Sequence, residues 1–452
     1  MPSSSQHRAP SSPRHPLIGH ASAGAVLALR RGERLGAGRF LADVRATAAA
    51  LPPARHILNF CSDRYRFAVV LCAAIVRGQV TLLPPTTTPN VIASLRAFAP
   101  DAYCMGDDAR CDVDLPRFDL PPLGALPEGG FEVPEIAANQ VIACVFTSGS
   151  TGEPQPNFKT WGSLVLDVAL EARRLAIGPG HCILGTVPPQ HMYGFESTVL
   201  LPLLSGAAFT SERLYFPADI NEAIERGPAP RTLFTTPFHL RAWLESGEPA
   251  RIETLVSATA PLSVALARAA EARTGATLLE IYGCTEAGQV ATRRPTQSPE
   301  WHAFDGMRLW NEAGQAMVSG GHVEQPTALA DLIEVHGDGT RFVLHGRSAD
   351  MVNIAGKRNS IGYLDHQLIA IAGVEDGAFY LPDDAGDEGV TRLMAFAVAP
   401  GVQAAAILEG LRSRIDAAFM PRPLVLVDRL PRGLTGKLPR EALRALAAKS
   451  RK

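Results

Sequence analysis

The run Val141-Ile142-Ala143-Cys144-Val145-Phe146 passes without a break into Thr147-Ser148-Gly149-Ser150-Thr151-Gly152. An uninterrupted apolar run suits a strand buried on both faces, the environment of a parallel sheet. The residues that follow have the opposite chemistry. Four hydroxyls and two glycines in six positions make a loop whose N–H and O–H groups can wrap a polyanion. By composition the same loop is equally an exposed Ser/Gly turn. The alternation that frames it is α/β. Residues 57–63 read as a strand, 66–77 as a helix ended by Gly78, 80–83 as a strand stopped by Pro84 and Pro85, and 90–98 as a helix. Strand, helix, strand, helix in close succession is the pattern of a parallel α/β sheet.

The alternation continues with strands over 182–187, 231–235, 255–258 and 278–282, and helices over 163–175, 195–204, 238–244 and 263–274. The Pro- and Gly-rich stretch 116–134 reads as a linker. Beyond residue 326 the strands become shorter and more polar, over 330–335 and 341–344. Residues 346–357 are loop-rich, and a smaller α+β unit runs to the end. The expected fold class is therefore α/β: a large N-terminal region with parallel sheets over 22–346, then a small mobile α+β domain over 347–452. A Ser-, Pro- and His-rich disordered lead-in precedes them over 1–21.

Composition narrows the partners. Lys plus Arg number 43 against 45 Asp plus Glu, so no basic excess drives binding to nucleic acid. The longest strongly apolar run, 67–76, is about half a membrane span, and the first twenty residues lack the apolar stretch of a signal peptide. The seven cysteines are odd in number and form no CxxC, as in a reduced, cytoplasmic chain without a zinc site.

Three more segments carry chemistry. Ile281-Tyr282-Gly283-Cys284-Thr285-Glu286 follows a buried strand, and parallel sheets place ligands at the carboxyl ends of their strands. Glu286 can hold magnesium through one carboxylate beside phosphates, and the Thr285 hydroxyl can reach a phosphate. Taken alone, the segment is read first as a strand end with a solvated Glu. Ala330-Asp331-Leu332 and His345-Gly346-Arg347 offer a carboxylate for two ribose hydroxyls and a guanidinium for a phosphate and a hydroxyl, though each is commonplace alone. Near the end, Gly433 and Gly436 bracket a tight loop presenting Lys437, a compact charge suited to an anionic transition state, or merely part of a basic tail. Two other loop chemistries are excluded. No Ser in the 146–154 loop has Gly at both plus and minus two, as a hydrolase elbow requires. Gly436-Lys437 and Gly356-Lys357 have Pro431 and Met351 where a Walker loop needs Gly.

In this order and spacing the four segments resemble the adenylate-forming (AMP-binding) superfamily of acyl-CoA synthetases, acyl carrier protein ligases, peptide-synthetase adenylation domains and luciferases, from about residue 57 to 445. Thr147, Ser148, Gly149, Ser150, Thr151 and Gly152 resemble its phosphate loop. Pro188-Pro189-Gln190-His191-Met192-Tyr193-Gly194, with Phe195 next, resembles the acyl-pocket segment, with His191 as the aromatic gate. Thr259, Ala260 and Pro261 resemble the segment that packs on adenine. Tyr282, Thr285 and Glu286 resemble the adenine, phosphate and magnesium motif, Asp331 the ribose aspartate, Arg347 the arginine before the hinge, and Lys437 the catalytic lysine. Ala349 and Asp350 fall at the hinge, and Gly356 in the loop that lines the thiol tunnel.

The resemblance implies ATP and Mg2+ as cofactors and a small carboxylic acid as substrate. The acid forms an acyl-adenylate, which is passed to a phosphopantetheine thiol of CoA or of an acyl carrier protein. Three departures stand out: Gln155 where the family usually has Lys (Lys159 is close by), Ala349 where it has Asp or Lys, and a shortened first third. That trimming and residues 155–161 are similar to small ligases of aryl-polyene (xanthomonadin-type) pigment pathways, which suggests a hydroxybenzoate-type aromatic acid. Glu196 could instead read an amine. The alternatives are a medium-chain or hydroxy fatty acyl-CoA ligase, or a non-catalytic adenylate-binding relative kept open by Gln155 and Ala349.

Overall fold

Helix Arg64–Val76 is apolar on every side, and a helix without a polar face has to be buried. No residue from 67 to 75 is more than 2% exposed in the computed structural model, which describes residues 12–84, 87–107, 113–148, 154–347, 351–354, 357–382, 392–433, 436 and 438–450. The helix begins at Asp63, whose carboxylate accepts the Arg66 N–H at 2.9 Å and the Ser211 hydroxyl at 2.7 Å.

The chain divides into two units, residues 1–234 and 235–452. In the first, the helix packs on a sheet in which Val141–Ser148, Val80–Leu83, His56–Asn59, Tyr103–Met105 and Arg117–Phe118 lie side by side and parallel. Pro154–Thr160 closes one edge antiparallel to Val141–Ser148. A second sheet has Arg231–Thr235, Cys182–Gly185, Ala208–Thr210 and Val26–Arg30 parallel, with Glu33–Gly36 antiparallel at the edge.

Three sequence expectations change here. The lead-in is shorter than 1–21: Arg14–Pro16 is a strand paired with Glu135–Ala137, and Leu17 and Ile18 are buried. A pair of apolar side chains and an edge to pair with are enough to order a Pro-rich segment. The strand expected over 57–63 ends at Asn59, whose side chain folds onto the Phe67 carbonyl at 2.9 Å and accepts from the Cys61 N–H at 3.2 Å. The helix expected over 195–204 is three pieces: Met192–Phe195, a π-turn over Glu196–Leu200, and Leu201–Ser205. Thr198 donates its hydroxyl to the Gly194 carbonyl at 2.6 Å, and Pro202 has no N–H to continue an α-helical ladder.

In the second unit Thr254–Ser257 pairs parallel with Thr277–Cys284. Antiparallel strands Gly288–Arg293, Trp301–Ala303, Arg341–Arg347 and Asp331–His336 then follow in that order. Met307–Glu312, Gln315–Gly320 and Val323–Leu329 form a separate meander. Within the stretch expected to be loop, Met351–Ile354 and Lys357–Ser360 pair as a hairpin. The last hundred residues build a sheet of Asp376–Tyr380, Met394–Val398 and Leu424–Leu426. One face packs Leu364, Leu368, Ile407 and Leu411, and the other packs Leu430, Leu443 and Ala447.

Arg64 is the polar centre of the first unit. Its Nε donates to Thr198 Oγ1 at 3.1 Å, Nη1 to the carbonyls of Thr210 (3.0 Å) and Glu212 (3.3 Å), and Nη2 to those of Gly185 and Val187 at 3.1 Å each. Burial pushes its pKa down to about 10, opposed by the charges of Asp63 and Glu212. Arg64→Ala strips a donor from four carbonyls and a hydroxyl at once. It is expected to cost about 3 kcal/mol or more, read as a lower urea midpoint at unchanged slope. A midpoint within error of the parent chain would contradict this.

Candidate active site

The acyl-pocket segment is set by a close backbone approach. Gly194 lies against the Pro188 carbonyl so tightly that a Cβ on it would sit 2.1 Å from that oxygen. The preceding turn is pinned from below, where Gln190 Nε2 donates to the Cys61 carbonyl at 2.7 Å. His191 stands at the N-cap of Met192–Phe195 and is half-buried. Tyr193 is buried with its ring edge-on to Phe234 at 6.1 Å, and Phe195 is fully enclosed. Glu196, one residue on, is 3% exposed, so a solvent-facing orientation is ruled out.

The phosphate-loop residues Thr147 and Ser148 are the last two of strand Val141–Ser148, in register with Gln155 and Pro154. Gly149, Ser150, Thr151 and Gly152 lie outside the described residues, as do Ala349, Asp350, Gly356 and Lys437.

In the second unit three of the expected residues come together. Tyr282 Oη donates to Asp331 Oδ2 at 2.7 Å, and Asp331 is the register partner of Arg347. The sequence grouped Asp331 with Arg347 and placed Tyr282 in a separate segment; strand pairing sets the first two side by side, and the Tyr282 hydroxyl joins them. The Tyr282 ring is held by two residues that sequence reasoning missed. Trp301 lies 5.7 Å and Phe342 5.5 Å from it, and those two rings stack on each other at 6.3 Å. Arg293 caps Trp301 at 4.6 Å while pairing with buried Glu280 at 2.6 Å. Burial pushes the Glu280 carboxyl up, and Arg293 holds it down. Trp301 and Phe342 are isolated aromatics in polar strands, so no pattern marks them in the sequence.

Thr285 and Glu286 form the turn between Thr277–Cys284 and Gly288–Arg293, with Thr285 half-buried and Glu286 exposed. Burial pushes the neighbouring Cys284 thiol up to about 12. Leading out of Thr254–Ser257, Thr259 has φ +79°. Positive φ in a β-branched residue is a strained conformation that persists only where the surroundings enforce it, often at ligand sites. Ala260 and Pro261 continue from it, half-buried and exposed.

The residue before Lys437 is described. Gly436 has φ +77° and donates its N–H to the Gly433 carbonyl at 2.8 Å. A Cβ on it would lie 3.5 Å from Phe238 Cβ, at the start of helix Pro237–Glu245. Among the described residues no three His, Cys, Asp or Glu side chains gather as a metal cage. No helix among them is long and apolar enough to cross a membrane.

A family model described as AMP-binding enzyme matches residues 50–313. The 4-coumarate–CoA ligase of Rhodobacter capsulatus is 32% identical over 288 residues, 63% of this chain and 70% of that protein. The 2-succinylbenzoate–CoA ligase of Geobacillus kaustophilus is 24% identical over 365 residues, covering 73% and 74%. Among solved structures, ATP-bound MatB from Rhodopseudomonas palustris superposes with a TM-score of 0.81 at 18% identity, over 96% of this chain and 97% of that one. The α/β fold is thus that of the adenylate-forming enzymes.

Tyr282→Phe removes the donor to Asp331 while keeping the ring. AMP is expected to bind about tenfold more weakly, the worth of one hydrogen bond to a charged group. Calorimetry measures it, and an unchanged dissociation constant would contradict a part for the Tyr282–Asp331 hydrogen bond in binding AMP.

Proposed function

This chain belongs to the AMP-binding enzyme family of ATP-dependent acid–thiol ligases, and we propose that it activates an aromatic carboxylic acid, of the hydroxybenzoate or hydroxycinnamate kind, and passes it to a phosphopantetheine thiol. In the first half-reaction a carboxylate oxygen attacks the α-phosphorus of ATP. The bond to the bridging oxygen breaks, and pyrophosphate leaves. In the second a thiol sulfur attacks the acyl carbon, AMP leaves, and the thiol proton passes to solvent.

The Tyr282–Asp331–Arg347 grouping carries the nucleotide assignment. Asp331, oriented by Tyr282, takes the ribose hydroxyls, and Thr259, Ala260 and Pro261 pack on adenine. Residues 147–152 wrap the phosphates through their hydroxyls and amides. Arg347 contacts the nucleotide next to a hinge at Ala349 and Asp350, where a C-terminal domain over 347–452 begins. Gly356 lines the thiol's path. Lys437 bridges the carboxylate and the α-phosphate as charge builds on both. Glu286 suits magnesium, which is commonly held by one or two carboxylates together with the phosphates. The ion supplies charge neutralisation at the phosphates.

The aromatic acid rests on half-buried His191 at the N-cap of Met192–Phe195 and on the Tyr193–Phe234 pair beside it, since planar side chains favour a ring. The 4-coumarate–CoA ligase relative and the resemblance to aryl-polyene ligases support it. CoA-ligase relatives favour CoA as acceptor. The aryl-polyene resemblance favours a carrier protein, and the reading includes both because they present the same arm.

Pyrophosphate exchange over a panel of acids tests this. Hydroxybenzoates or hydroxycinnamates are expected to exceed octanoate by about tenfold or more. Octanoate at parity would return the fatty-acid reading, and no exchange with any acid the non-catalytic one. Thioester formation on CoA and on a holo-carrier separates the acceptors. Lys437→Ala is expected to cut exchange about 10²-fold or more yet spare transfer from supplied acyl-adenylate. Equal loss in both steps would refute the lysine's role.

A further inference from the structure

Leu430 and Leu438, on either side of Gly433 and Gly436, both pack with Leu443 beneath the sheet of Asp376–Tyr380 and Met394–Val398. Between those anchors one side chain reaches across the loop. Arg432 Nε donates to Asp376 Oδ2 at 2.7 Å and Nη2 to Asp376 Oδ1 at 2.6 Å, a bidentate pair. Its remaining nitrogen, Nη1, donates to the Gly436 carbonyl at 3.0 Å. Arg432 is 17% and Asp376 23% exposed, so solvent screens the pair little. Asp376 is itself fixed as the first residue of its strand, its Oδ1 also accepting the Gly377 N–H at 2.8 Å.

The Gly436 oxygen belongs to the peptide that joins Gly436 to Lys437. A peptide is a rigid plane, so a bond to its oxygen restrains the point from which the next residue extends. The Gly436 N–H is held at the same time by the Gly433 carbonyl. The residue before the lysine is thus fixed on both its amide and its carbonyl side. We propose that Arg432, seated on Asp376, is a positioning residue that aims Lys437 for adenylation by holding the Gly436 carbonyl. This rests on the reading of Lys437 as the adenylation lysine. Arginine is required because its planar fork meets a carboxylate with two nitrogens and still presents a third donor. A lysine ammonium keeps the charge without that geometry.

Because the clamp acts through Lys437, its loss is confined to the half-reaction that uses Lys437. Arg432→Gln and Asp376→Asn are each expected to slow pyrophosphate exchange about 10- to 100-fold, the scale of a displacement near one ångström, chiefly in kcat. Transfer from supplied acyl-adenylate stays near the parent rate. Arg432→Lys falls between, and the double variant is no worse than Arg432→Gln alone. Hydrogen exchange of the peptide covering 433–438 quickens in all of them, with exchange elsewhere in the chain unchanged. Equal slowing of both half-reactions, or parent exchange rates over 433–438 in Arg432→Gln, overturns the proposal. If the parent chain exchanges pyrophosphate with no acid, the ligase reading is what fails, and the hydrogen-exchange result still decides whether Arg432 holds the loop.

Discussion

A charge that cannot be given up sits inside the first unit. Arg64 stays protonated even after burial lowers its pKa to about 10, so the surroundings must supply oxygen for its donors or lose the fold. They do so with four main-chain carbonyls from the ends of two strands and the hydroxyl of the π-turn. Strand ends are where a parallel sheet frees its carbonyls, and the guanidinium gathers them. The sheet's carboxyl edge, the 185–187 turn and the helix that carries Tyr193 are thereby fixed by one side chain. The carboxylate charges of Asp63 and Glu212 add a field that favours the protonated guanidinium, which suits a structural cation more than a reactive one.

The second unit solves its version of the problem with aromatic mass. Tyr282 has an apolar ring and one polar tip. The ring lies on the Trp301–Phe342 stack, and the tip finds Asp331. A buried phenol is a stiff way to hold a carboxylate in place. Thr259 shows the same economy in the backbone. Its left-handed conformation is unfavourable for a β-branched residue, and the strand before it and buried Leu262 after it keep it there.

Legibility in the sequence followed the kind of signal. Short runs of apolar and β-branched residues located the strands Val80–Leu83, Arg231–Thr235 and Val141–Ser148 to within two residues, because burial dominates there. Loops with unusual chemistry stood out by composition. What stayed hidden depends on partners far along the chain. Arg64 looks like a solvated residue at a helix start until Gly185 and Thr210 arrive. Arg432 looks like part of a basic tail until Asp376 does. The π-turn was invisible because its cause, a hydroxyl bonded back and a proline without an N–H, reads in one dimension as ordinary helix. The edge strand Pro154–Thr160 was missed because two prolines argue against a strand, and at a sheet edge that objection weakens.

The π-turn has a consequence for how the acyl pocket can change. Each residue of an α-helix advances the side-chain direction by about 100°, so an inserted residue re-phases everything on one side of it. Met192–Phe195 and Leu201–Ser205 are in this sense two dials on one shaft with a slipped tooth between them. The second dial is locked by Leu201 and Leu203, both fully enclosed. The first carries Tyr193 and has His191 at its N-cap. Removing one residue from Glu196–Leu200 would swing Met192–Phe195 to a different bearing about the helix axis while Leu201 and Leu203 kept theirs. A single deletion thus re-aims the whole of Met192–Phe195 at once, which substitution of His191 or Tyr193 alone does not do.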